Sequence, residues 1–206
     1  MQLPFSIHSG FIALSVTMMA IFGCGSSTPS RYYTLSPVKN ATGNGQKDLS
    51  STTFAVGFRT LKLPEYLLRQ QIIKKKANQV IIAEFDRWAE PLEANFKRVL
   101  SEDLANDIPT DNIFLFPTRD STFVNYQILL EVTEFEYAGN NLVTLSARWG
   151  IEKGESVAYL MSKRSSFSEQ ISTDSFEEIV AAMSRLTGKL SQEIAVEIRM
   201  RVSSGK

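Results

Sequence analysis

Apolar and polar residues alternate with a period of two over Phe123 to Tyr137, with Tyr126, Ile128, Leu130 and Val132 on one face. The phase then slips to Phe135 and Tyr137, which predicts a strand carrying a β-bulge near Thr133. Gly139-Asn140-Asn141 reads as a turn, and Val143, Leu145, Ala147, Trp149 and Ile151 alternate on the returning strand. Lys153-Gly154-Glu155 turns the chain again into a strand over Ser156 to Phe167, which completes an antiparallel meander. The period then lengthens. Phe176, Ile179, Val180, Met183, Leu186, Leu190 and Ile194 form the stripe of a long amphipathic helix, with Asp174 or Ser175 as its cap.

The half of the chain before the meander is patterned less regularly. Arg31-Tyr-Tyr-Thr-Leu35 is β-prone, residues 36–52 form a Gly/Asn/Ser-rich loop, and Thr53 to Leu61 resumes as a strand. Pro64 suits the start of a short helical turn over Leu63 to Leu68. Gln71 to Lys75 and Gln79 to Ala83 form a hairpin about Ala77-Asn78. Leu92, Phe96, Val99, Leu100 and Leu104 recur at helical spacing between Pro91 and Pro109, and Ile113 to Phe116 is a short strand. The sum is an α+β fold: a mixed or antiparallel sheet with a three-stranded C-terminal meander, two main amphipathic helices packed on it, and no repeat or second-domain boundary.

Composition narrows the chemistry. The chain has 22 basic and 22 acidic residues, so it lacks the basic excess of a nucleic-acid binder. Lys74-Lys75-Lys76, its one basic run, reads as a solvated strand end or turn. The single His is His8 and the single Cys is Cys24. Past residue 24 no Ser-His-Asp or Cys-His nucleophile system and no His- or Cys-ligated metal site can be built. Gly188-Lys189 lacks the earlier glycine of a phosphate loop, Met183 standing in its place, and sits in a helical pattern. Two carboxylates alone suffice for glycoside hydrolysis, but Glu84/Asp86 and Glu177/Glu178 read as solvent-facing charge. An enzyme is not expected, nor a cofactor beyond a covalent lipid.

That lipid is expected at Cys24. Residues 1–23 carry no Lys, Arg, Asp or Glu, and Phe11 to Phe22 has the length of a secretory apolar region, too short to span a bilayer. Ile21-Phe22-Gly23-Cys24 looks like a lipobox, although the uncharged start and the bulky Phe22 depart from the usual pattern and leave open whether Met1 is the true start. Residues 1–23 are thus expected to be a lipoprotein signal peptide, 24–30 a lipidated tether, and 31–206 one domain. Gly25-Ser26-Ser27 places no Asp beside the anchor, which favours the outer membrane, facing the periplasm.

Three stretches carry a family resemblance: Arg31-Tyr-Tyr-Thr-Leu35 just after the lipobox, Leu63-Pro-Glu-Tyr-Leu-Leu-Arg-Gln-Gln-Ile72, and Asp86-Arg-Trp-Ala-Glu-Pro-Leu92. In order and spacing the chain resembles the PqiC-type ABC-transport auxiliary lipoproteins, with Gln70-Gln71 where a Pro-Gln pair is usual. The resemblance implies a non-catalytic outer-membrane lipoprotein, an accessory or docking subunit of an MCE-type system that moves lipids or other hydrophobic molecules. The implied partner is the periplasm-spanning MCE-domain protein of that system, with self-association left open and no role for nucleic acid. The alternative is a periplasmic lipoprotein that itself binds a lipid or an envelope glycan.

Arg31, Tyr32, Leu63, Tyr66, Arg69, Arg87 and Trp88 are the candidate partner contacts, because aromatic and Arg side chains dominate interface energetics. Each also has a structural reading. Tyr32 and Tyr33 point to opposite faces, Trp88 suits a staple before a helix, and the three arginines can pair with Glu65 or Glu90.

Overall fold

A computed structural model describes residues 28–38, 54–108, 110, 112–115, 124–154 and 158–204. Cys24, the expected signal peptide and most of the predicted 36–52 loop lie outside them.

The elements run β1 (Arg31–Tyr33), β2 (Val56–Lys62), a 3-10 turn (Glu65–Leu67), β3 (Gln71–Lys76), β4 (Gln79–Trp88), α1 (Leu92–Asp107), β5 (Ile113–Leu115), β6 (Tyr126–Gly139), β7 (Leu142–Lys153), β8 (Ala158–Gln170) and α2 (Phe176–Ser204). β6 is the spine of an eight-stranded mixed sheet. Along one edge it pairs antiparallel with β7, which pairs with β8, giving the meander. Its start takes β2 in parallel, Val56 opposite Tyr126, and its end takes β3 in parallel, Lys74 opposite Tyr137. β5 lies parallel to β2, and β1 lies parallel to β4 with Arg31 opposite Asp86.

The predicted bulge is where the phase slip puts it. The β6–β7 register shifts between Val132 and Glu134, and the Thr133 hydroxyl donates to the Ser146 carbonyl at 3.1 Å. One extra residue returns Phe135 to the covered face, where its ring meets Phe96 of α1 edge-on at 5.1 Å. Asn140 and Asn141 both take positive φ, the pairing a two-residue hairpin turn needs to follow strand twist.

Both helices cover one face of the sheet. α2 buries Ile179, Met183, Leu186, Leu190, Ile194 and Ile198, each side chain contributing about 1.5–3 kcal/mol by removal from water. Its start is fixed by a reciprocal cap. The Ser175 hydroxyl accepts the Glu178 N–H at 3.3 Å, while the Glu178 carboxylate accepts the Ser172 and Thr173 N–H groups and the Thr173 hydroxyl. These donors, the Thr173 hydroxyl first, pull the Glu178 carboxyl down to about 2. Gly188 serves packing: a Cβ there would stand 3.1 Å from the Val38 side chain. Residues 36–38 cross α2 at that point, and the Val38 N–H donates to the buried Asp103 carboxylate of α1 at 2.8 Å.

Two sequence expectations change. Lys74-Lys75-Lys76 is not a solvated run. Lys74 pairs with Asp174 and lies over the Tyr137 and Phe176 rings, and Lys75 pairs with Glu136. Asp86 and Glu178 are not idle surface charge, since Asp86 is buried and Glu178 caps α2.

Candidate docking surface

The three family-like stretches, distant in sequence, converge at the end of the sheet where β1 meets β4. Arg31 donates from Nε to Asp86 Oδ1 at 2.7 Å and from Nη2 to Oδ2 at 2.9 Å, a bidentate pair. The Tyr33 hydroxyl donates to Asp86 Oδ1 at 2.8 Å, and Glu177 of α2 stands 3.1 Å from the same hydroxyl. Arg31 holds the Asp86 carboxyl below its ordinary range, against the opposing effect of burial. Burial first, then the bond to Asp86, pushes the Tyr33 hydroxyl well above its ordinary range.

The second stretch is tied to β6. Leu63 and Leu67 enter the core, and the Tyr66 hydroxyl donates to Glu136 Oε2 at 2.5 Å. Desolvation, reinforced by Glu136, raises the Tyr66 hydroxyl above its ordinary range. The third stretch ends β4 and starts α1. Trp88 is buried, its backbone N–H donates to the Gln70 carbonyl at 2.7 Å, and the Ala89 N–H donates to the Tyr33 carbonyl at 2.8 Å. Glu90 accepts from Asn95 and Arg98, while Asn95 Oδ1 accepts the Leu35 N–H at 2.6 Å. Each stretch thereby holds another in place.

The seven candidate contacts fall into three groups. Leu63 and Trp88 belong to the core and present no surface to a partner. Arg31 is engaged by Asp86 rather than by Glu65 or Glu90, and the Tyr66 hydroxyl is engaged by Glu136. Tyr32, Arg69 and Arg87 remain. Tyr32 stands opposite Arg87 in the β1–β4 register, on the face away from the helices, and is 60% exposed. Arg87 Nη1 donates to Gln70 Oε1 at 3.2 Å, while its Nε is buried without a hydrogen-bond partner. Leu68, an exposed leucine, and Arg69 directly precede Gln70. An aromatic ring, two guanidinium groups and an apolar side chain thus share one edge of the sheet.

The same open face carries a second feature that sequence reading missed. A shallow groove of about 300 Å³ runs between Thr60 and Lys62 of β2, Leu129 and Glu131 of β6, Arg148 and Gly150 of β7, and Tyr159 and Ser162 of β8. Gly150 shapes it: a Cβ there would fall 2.8 Å from the Met161 carbonyl oxygen, and the Tyr159 ring approaches to 3.8 Å. A lone glycine inside an alternating strand was the available signal. Glu131, Arg148 and Arg164 stand in one cross-strand row, two like charges directly opposed.

Among the described residues no cluster of three or more His, Cys, Asp or Glu side chains is placed to hold a metal ion. Nor is any described helix long and apolar enough to cross a membrane.

A family model described as "ABC-type transport auxiliary lipoprotein component" matches residues 33–195. Among solved structures, a protein from Xanthomonas campestris assigned to the DUF330 family superposes with a TM-score of 0.65 at 14% identity, covering 84% of this chain and 99% of that one. The crystal structure of an uncharacterized protein superposes with a TM-score of 0.64 at 18% identity, covering 83% and 99%. At these identities the likeness shows a shared fold. No curated protein matches the sequence.

Proposed function

The chain belongs to the family of ABC-type transport auxiliary lipoprotein components, and from that premise we propose that it is a non-catalytic docking subunit, anchored by acylated Cys24 in the outer membrane and facing the periplasm. Its partner is the periplasm-spanning MCE-domain protein of a system that moves lipids or other hydrophobic molecules. The observation that supports docking is the exposed edge built from Tyr32, Arg87, Arg69 and Leu68. Tyr and Arg side chains carry much of the energy at protein interfaces when a partner excludes water from them. Arg31, Tyr33 and Asp86 set that edge rigidly, so little ordering is left for the moment of binding.

The test is capture from detergent-solubilised membranes by the full acylated protein, with mass-spectrometric identification of what is retained. An MCE-domain protein is the expected prey, and Tyr32→Ala or Arg69→Glu is expected to lower its recovery roughly tenfold, as interface hot spots do. Melting temperature should stay within a degree or two, because both side chains are exposed. Loss of capture together with unfolding would make these residues structural. Cys24→Ser should leave unprocessed precursor, read by intact mass.

The open-face groove supports a second reading, in which the domain itself binds a lipid headgroup or an envelope glycan against Arg148 and Tyr159. Native mass spectrometry separates the two. A stoichiometric lipid or glycan lost on Arg148→Ala, with no MCE protein captured, would replace docking by carriage.

A further inference from the structure

The β3–β4 hairpin exposes an apolar run that the docking edge does not use. Val80, Ile81 and Ile82 are consecutive on β4 and between 40% and 46% exposed. Alternation sends Val80 and Ile82 to one face and Ile81 to the other, so this part of the strand is uncovered on both. It is also a sheet edge. β1 pairs with β4 at Asp86 to Trp88, and among the described residues no strand pairs with the outer backbone edge of β4 over residues 79–85. An exposed apolar edge strand invites aggregation unless something covers it. Polar groups bracket the run. Exposed Lys76, Asn78 and Gln79 lie at the turn, and exposed Glu84 lies two residues beyond Ile82. Of the three lysines, only Lys76 makes no ion pair among the described residues.

The position of the hairpin identifies the cover. β1 is parallel to β4, with Arg31 opposite Asp86, so the domain begins at the end from which the hairpin projects. The β6–β7 turn, Lys74 with its partner Asp174, and the start of α2 lie at that end too. Six residues lie between Cys24 and Arg31, which makes seven residue-to-residue steps. Fully extended, they reach at most roughly 25 Å. The seven steps along β4 from Asp86 back to Gln79 span a similar distance, about 23 Å. With Cys24 acylated, a leash about as long as the hairpin arm holds this end of the domain close to the lipid.

We propose that the β3–β4 hairpin is a second membrane contact, lying edge-on in the same leaflet that holds the anchor, with Val80, Ile81 and Ile82 at the headgroup–acyl boundary and Lys76 among the phosphates. The inference rests on the anchoring of Cys24 proposed above. Contact is shallow by necessity, because the unpaired N–H and C=O groups of the β4 edge need water or headgroup partners, which the acyl region does not supply. One cation and three apolar side chains then supplement the acyl chains and fix the orientation of the domain, presenting Tyr32, Arg69 and Arg87 at a set height above the bilayer.

The test places one fluorescent probe on the full-length acylated protein in vesicles of phosphatidylethanolamine and phosphatidylglycerol. Acylation blocks Cys24, so Ile81→Cys and Ser203→Cys each offer one thiol to an environment-sensitive dye. Ser203 is exposed near the far end of α2, about 40 Å from its start at 1.5 Å rise per residue. The proposal expects blue-shifted emission at position 81 and quenching by spin-labelled lipid at least about threefold stronger than at position 203, as an interfacial contact requires. Ile82→Cys should behave like Ile81→Cys, and all three variants should melt with the parent protein. Equal exposure of positions 81 and 203 to aqueous iodide, with Cys24 acylated by mass, overturns the hairpin contact and leaves the anchor standing. Shielding of position 81 that persists in detergent and vanishes on dilution assigns the edge to a second copy of the chain and also overturns it. Labelling of two thiols, with no acyl mass at Cys24, removes the leash and the proposal with it, and separately refutes the anchoring reading.

Discussion

Asp103 sits inside α1, buried, with Oδ1 accepting the Val38 N–H at 2.8 Å and Oδ2 lacking a partner. Burial pushes its carboxyl up from 3.8 to about 6, the Val38 bond opposes the shift, and the nearby Asp107 adds to it. The fold therefore favours the protonated form. Ionisation penalises the native state, by nothing below the ordinary value of 3.8, increasingly between 3.8 and about 6, and fully above 6. At about 1.36 kcal/mol per unit, the full penalty is at most ~3 kcal/mol. Asp103→Asn keeps an oxygen for the Val38 N–H and removes the charge, but leaves an amide donor where Oδ2 stood, a cost of ~1–2 kcal/mol. The net expectation is a gain of ~1–2 kcal/mol at pH 8, seen as roughly 2–8 °C in melting temperature for a domain of this size. At pH 4.5 the gain should vanish or reverse. Thermal melts of both proteins at the two pH values measure it, and the difference between proteins cancels acid effects on other carboxylates. An equal shift at both pH values would show that Asp103 ionises normally in the folded state and would refute the reasoning.

Gly150→Ala should cost roughly 1–3 kcal/mol, because its Cβ would lie 2.8 Å from the backbone oxygen of Met161 and neither strand can retreat freely; a urea titration reads the loss. Asp86→Ala removes the acceptor that the Arg31 guanidinium and the Tyr33 hydroxyl share, and a lower urea midpoint is expected by the same measurement. Glu178 is held down at about 2 against an ordinary 4.5, so its stabilisation is present above pH 4.5 and is lost as pH falls towards 2. Glu178→Gln should accordingly destabilise at pH 7 and match the parent near pH 2, in melts across that window.

Much of the fold was legible because its signals are local. The alternation of β6, the phase slip that forces a bulge, the Asn pair that turns β6 into β7, and the stripe of α2 each lie within a few residues of the structure they specify. The single His and Cys likewise bounded the chemistry before any fold was known. Ser175 capping α2 needed only its own neighbours. What the tertiary structure decided were matters of partnership across distance. Glu84 and Asp86 share a strand and a face, yet only Asp86 is buried, because β1 returns from 55 residues away to place Arg31 against it. Alternation says which side chains share a face and not whether that face will be covered. For the same reason Leu63 and Trp88 read as candidate contacts until packing enclosed them, and Lys74 and Lys75 read as solvated until Asp174 and Glu136 met them. The parallel pairing of β1 with β4 leaves no local mark, since the loops that bring such strands together carry no record of their register. That pairing brings the start of β1 and the β3–β4 hairpin to the same end of the molecule. Sequence supplied the apolar run of β4, and only the sheet placed it at the end where the domain begins.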